Sequence, residues 1–215
     1  MAAPVVFPFE PNGLDPIVEW YGYLTDVIGP SYEGNEQRVQ LRRHPTGAIE
    51  TSFFSESRYE FQRMTALLFR KHSQIWAAPL WPYATRLTAD ASAAATSLPV
   101  LTAGLPFTDP LGLGPYALLW KDSKTFELVS LNAIYPSSIE LAVPLVATWS
   151  AASSYLIPVR TAFLEPTVPL RWETPELVTS RHHFSFECHG TTNIVPTVTD
   201  EFVVVDEGAV VPGGP

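Results

Sequence analysis

Apolar positions recur at helical spacing in only one stretch of this chain. Elsewhere they alternate with polar positions or gather in short blocks. Phe61, Met64, Leu67 and Leu68, followed by Ile75, fall near one stripe of a helix and predict a helix over residues 57–73. Ser57-Arg58-Tyr59-Glu60 reads as a capping box, in which the Ser57 hydroxyl accepts from the Glu60 amide and the Glu60 carboxylate reaches back. Arg70, Lys71 and His72 place positive charge in the last turn, where it suits the helix dipole.

Strand patterns surround this helix. Residues 17–28 are rich in aromatic and β-branched side chains and predict one or two strands, closed by Gly29-Pro30-Ser31. Residues 37–41 alternate, with Val39 and Leu41 opposite Arg38, Gln40 and Arg42. His44-Pro45-Thr46-Gly47 then reads as a hairpin turn and 48–54 as the return strand, which predicts a hairpin over 37–54. Pro79 and Pro82 limit 75–87 to an edge strand or an extended crossover. A short strand is expected at 96–101, a loop at 105–115, and a hairpin of 116–120 with 125–133 around Lys121-Asp122-Ser123-Lys124. Further strands are expected at 137–146, 156–164 and 182–188.

The expected fold is mainly β within the α+β class, built as hairpins or a sandwich with one packed helix. Its divisions are an extended N-terminal arm (1–16, with Pro4, Pro8, Pro11 and Pro16), a β lobe with the helix (17–104), a second β-rich lobe (105–190) and an extended or disordered tail (191–215).

Composition adds a bias towards assembly. The chain is 46% hydrophobic, enough for a sizeable core, whereas 16% charged residues is low and leaves neutral surface for burial against partners. The net charge of -9 disfavours nucleic acid as the main ligand. That charge is uneven: 7 of the 13 basic residues lie between Arg38 and Lys71, and none follows Arg181. A basic front and an acidic tail (Asp200, Glu201, Asp206, Glu207) complement each other between neighbours, although each also reads as a solvated face. The single cysteine, Cys188, allows neither an intrachain disulfide nor a multi-cysteine metal site and fits a reducing compartment. The start of the chain lacks a basic n-region, and no run of 18 apolar residues occurs, so neither a signal peptide nor membrane insertion is expected.

The densest chemical cluster is Arg181-His182-His183 with Glu187-Cys188-His189. As a strand it places His183, Glu187 and His189 on one face, and His182 and Cys188 with Phe184 and Phe186 on the other. Positions four apart on a strand are separated by ~13 Å, too far to share a metal ion. Cys188 and His189 face opposite ways and make no nucleophile–base pair. Gly112-Leu113-Gly114-Pro115 is a turn, not a phosphate cradle. No catalytic, metal-binding or cofactor-binding residue is assigned, and an enzyme is not expected. A carboxylate pair brought together from distant segments stays open. The rival reading is a carbohydrate-binding module, with Trp76 and Trp81, or Trp120 and Trp149, as stacking platforms.

Three spaced words carry a resemblance: Trp20-(x)4-Thr25-Asp26-Val27, Gly34-Asn35-Glu36-Gln37-Arg38, and Trp76-(x)2-Pro79-Leu80-Trp81. With the helix between them, the stretch of about residues 18–85 resembles the distal tail proteins of long-tailed bacteriophages. Residues 110–190 depart from the expected pattern. The resemblance implies a tail-tube-like N-terminal lobe and a homo-oligomeric ring, of six copies first and three second, at the tip of a non-contractile tail. It implies a virion protein assembled in the host cytoplasm, joined to the tail tube protein, the baseplate hub and receptor-binding proteins, with DNA passing unbound through the lumen. The residues expected at the subunit interface are Trp20, Asp26, Glu36, Arg38, Arg42, Arg43, Trp76 and Trp81. The alternative is a carbohydrate- or receptor-binding β module of the same baseplate.

Overall fold

A computed structural model describes residues 4–13, 15–22, 25–30, 36–40, 46–55, 57–103, 116–172 and 177–187. Gly34, Arg42, Arg43, the loop at 105–115, Cys188, His189 and the tail at 191–215 therefore lie outside the described residues. In chain order the elements are β1 (Val5–Val6), β2 (Val18–Gly22), β3 (Thr25–Pro30), β4 (Glu36–Gln40), β5 (Thr46–Ser55), the helix α1 (Arg58–Lys71) and β6 (Trp76–Pro79). A single 3-10 turn (Trp81–Tyr83) leads to β7 (Thr85–Arg86), β8 (Ser97–Pro99), β9 (Tyr116–Asp122), β10 (Thr125–Tyr135) and β11 (Ser138–Leu141). β12 (Tyr155–Leu164), β13 (Leu170–Trp172) and β14 (Val178–Glu187) follow. The fold is mainly β with one α-helix among the described residues, as the sequence pattern implies.

One hydrogen-bonded network of strands follows the order β2-β5-β14-β12-β9-β10-β11-β8. β12 joins its parts: residues 155–158 pair with β9, 159–162 with β6, and Phe163 and Leu164 with β14. This path crosses the lobe boundary expected at 104/105, because β5 lies beside β14, β6 beside β12 and β8 beside β11. Central strands are buried on both faces. Ala117 and Leu119 of β9 enter a large core with Phe7, Phe53, Trp76 and Phe184, whereas Leu118 and Trp120 enter a second one with Ala77, Ile157 and Val159. This double burial explains why the strand reads as a continuous apolar run.

The 37–54 hairpin does not form. β4 pairs with β3, and β5 pairs with β2 on one side and β14 on the other. Thr46 and Gly47, expected in the turn, already belong to β5. β2 with β5 and β3 with β4 are each antiparallel pairs. β2 and β5 are built into the sheet, and β3 and β4 pair with each other alone. Nor is β6 an edge: β1 pairs with it in parallel and β12 antiparallel.

The helix forms where its apolar period predicts, with Met64 buried and Phe61, Leu67 and Leu68 packed against the large core. Ile75 is exposed and stands outside that stripe. Ser57 occupies the N-cap, but the capping box is not made. The Glu60 carboxylate instead accepts from the Ser123 hydroxyl in the β9–β10 turn, so it ties the helix to that hairpin rather than to its own first turn.

The N-terminal arm is corrected most. β1 hydrogen-bonds beside β6, and Phe7 is wholly buried against Phe9, Phe53, Trp76, His182 and Phe184. The Pro8 carbonyl accepts from the Trp120 indole at 2.8 Å. Prolines keep this segment extended, as expected, but its aromatic residues place it inside its own chain's core rather than along a neighbour.

Candidate interaction surface

β5 and β14 pair over ten positions and alternate strictly. Ile49, Thr51, Phe53 and Ser55, with Val178, Ser180, His182, Phe184 and Phe186, point into the core. The alternate residues make an outer face that no described element covers. On it one cross-strand row runs Trp20–Ala48–Ser185–Phe163 through four strands. Trp20 is 57% exposed and Phe163 59% exposed. At ~4.8 Å per strand they stand ~14 Å apart, with two small residues between them.

The neighbouring rows are charged. Arg181 pairs with Glu50, and His183 Nδ1 lies 3.6 Å from Glu165 Oε2, an ion pair only when the imidazole is protonated. Further along, Asn12, Asp15, Pro16 and Pro169 wall a groove of about 650 Å³ whose lining includes Ser52, Phe54, Thr179, Arg171 and Arg181. A second hollow of about 480 Å³ lies beyond Asn12 and Phe54 and holds Glu10, Glu60 and Asp122. Partial desolvation raises the Asp122 carboxyl, but amide bonds from Lys124 and Thr125 outweigh it and hold the group below the usual carboxylate range.

The two ends of the strand path differ. β8 is short, ends in Pro99, and gives the Pro99 carbonyl to the Thr88 amide. β2, Val-Glu-Trp-Tyr-Gly, has neither proline nor lysine and pairs on one side only among the described residues. It lacks two of the devices that block an edge, proline and lysine, but its Glu19 is half-buried and accepts from the Tyr83 hydroxyl.

The structure separates the residues expected at an interface. Trp20 stands on the outer face beside the open edge. Asp26, Glu36 and Arg38 lie on the β3–β4 ribbon, in register with Val39, Pro30 and Val27. Arg42 and Arg43 are outside the described residues. Trp76 is wholly buried and does not belong to a surface. Trp81 is half-buried, edge-on to Trp120 at 5.0 Å and 86°, with its indole N–H turned inward. The platforms imagined for sugars are absent for the same reason: Trp76, Trp120 and Trp149 are core residues, and the Trp149 indole donates to Glu127. Sequence reading missed Phe163, Phe54 and Arg181 as members of the outer face that carries Trp20. Strand alternation marks Phe163 as opposite to Ala162 and Leu164, but only the pairing tells which face is covered.

The His182–His183 alternation is as expected. His182 is fully buried, and burial lowers its pKa to about 3. Its Nε2 lies 2.9 Å from the Ser180 hydroxyl, and both residues are buried. Among the described residues no group of three His, Cys, Asp or Glu side chains converges as a metal ion would require, and no helix is long and apolar enough to cross a membrane. No protein-family model matches the chain, and no curated protein matches it in sequence.

Proposed function

We propose that this chain is a virion structural protein that assembles, without catalysis, into a ring at the distal end of a long non-contractile phage tail. In this reading it joins the tail tube to the hub and the receptor-binding apparatus, and DNA passes through the lumen without specific contacts. The observation that carries it is the coincidence of an edge strand, β2, paired on one side among the described residues, with the exposed Trp20–Phe163 row on the same sheet. Exposed aromatic residues bordered by charged rows match the apolar core and polar rim of an interface. The Trp20, Gly34-to-Arg38 and Trp76-to-Trp81 words support the particular kind of assembly. Electron microscopy of phage particles carrying this protein, labelled with an antibody against the chain, tests the reading. Label at the tail tip is expected, and label elsewhere or on no particle contradicts it.

A second reading, a carbohydrate- or receptor-binding module of the same baseplate, draws on the same row. Trp20 and Phe163 flank a polar floor that includes Ser185 and His183. Quenching or enhancement of Trp20 fluorescence by cell-wall oligosaccharides, lost in Trp20→Ala, would favour it over the ring.

A further inference from the structure

His182 occupies the centre of the large core. Its ring centroid lies 4.9 Å from Phe7 and 4.9 Å from Phe53, and its plane is nearly parallel to that of Phe184. Only one side of it is hydrogen-bonded, Nε2 to Ser180. Nδ1 is buried without a partner, and so is Oγ1 of Thr51, its cross-strand neighbour. The elements around it differ greatly in how firmly they are held. β5 and β14 share a ten-position ladder. The segment that lays Phe7 on the imidazole is held by a two-residue bridge to β6, the Val5–Ile75 bond, the Trp120–Pro8 bond and Arg63 over Phe9, and just beyond it by the Pro11–Phe53 bridge and the Asn12–Ser52 bond.

We propose that His182 and Phe7 form an acid-sensitive latch: protonation of the imidazole expels residues 4–9 from the core while the sheet stays folded. The charges around the ring leave an imidazolium without compensation. The N-terminal segment brings none between Val5 and Phe9. β5 faces it with Thr51 and Phe53, and its Glu50 lies on the outer face with Arg181. β14 faces it with Ser180 and Phe184, and its His183 and the His183 partner Glu165 are also outside. β6 contributes Trp76 and α1 contributes Met64, reached through Ser180. The charged groups at the margin are Arg63 over Phe9 and Arg160 over Phe186, both cations. Among the described residues a charged His182 has no carboxylate to meet, so it gains most by meeting water. The least firmly held cover over it is Phe7. Release uncovers Phe53, Trp76 and Phe184 and removes the Trp120 indole's acceptor.

Hydrogen exchange of the full chain followed by mass spectrometry, corrected for the intrinsic pH dependence of exchange, tests this. Between about pH 7 and about pH 4 the protection of residues 4–10 should fall at least about tenfold, while peptides from β9 and β12 keep theirs. In His182→Gln the protection of residues 4–10 should be the same at both pH values. The latch is overturned if the wild-type segment keeps its protection at low pH. It is equally overturned if the segment and β9 lose protection by the same factor, which is global unfolding, or if His182→Gln opens as the wild type does. Should His182→Gln fail to fold, the comparison of the segment with β9 in the wild type decides alone.

Discussion

Phe7, His182 and Gly47 show how single residues set the limits of this core. Phe7 touches five other rings, so truncation to alanine leaves a large void. Phe7→Ala should cost about 3–5 kcal/mol, read from denaturant unfolding. A Cβ on Gly47 would run into the Phe186 ring, whose surroundings include the Arg160 guanidinium at 5.1 Å. The ring has little room to retreat, and Gly47→Ala should destabilise by about 1–3 kcal/mol in the same assay. His182 has a folded pKa of about 3 against an ordinary 6.5. The unfolded chain binds a proton that the folded chain refuses, so stability falls as pH drops below the unfolded value and levels off near the folded one. The loss across that window should be on the order of 4 kcal/mol. His182→Phe should flatten the slope, and an unchanged slope would assign the acid lability to other groups.

At the scale of elements, local patterns were legible and long-range pairing was not. The helix and the β9–β10 hairpin form within a few residues of the expected bounds because each depends on neighbours in sequence. The supposed 37–54 hairpin failed because Thr46 and Gly47 have partners in β2 and β14 that no local turn signal reveals. The same blindness put Trp76 on a surface: a tryptophan's type does not say whether a parallel β1 will pair beside it. Trp20 was legible as an interface candidate, whereas its row-mate Phe163, 143 positions away, needed the strand order. Glu127 shows one side chain reinforcing a segment that backbone bonds also hold. Its carboxylate accepts from the Val146 amide at 2.7 Å and from the Trp149 indole at 2.9 Å, which fastens the segment after β11 onto β10. Glu127→Ala should therefore loosen residues 142–149 and lower stability by about 2 kcal/mol. Faster exchange confined to that segment is the expected signature.

For the whole molecule, the strand network ends differently on its two sides, closed at β8 and open at β2. Beyond β2 the chain continues into the β3–β4 ribbon, which carries the Glu36-to-Arg38 part of the resemblance and pairs with no strand of the main sheet. Among the described residues, an edge strand paired on one side, an unshared ribbon and an exposed aromatic row are the features on which the proposed assembly with other subunits rests. The measurement that tests this most directly is the mass of the purified chain by light scattering over a range of concentrations, wild type beside Trp20→Ala/Phe163→Ala. The account predicts growth from the monomer to one closed mass, six or three copies by the resemblance, with growth weakened in the double variant, which should fold normally because both side chains are exposed. A wild-type chain that stays monomeric at high concentration, or a double variant that assembles equally well, would contradict it.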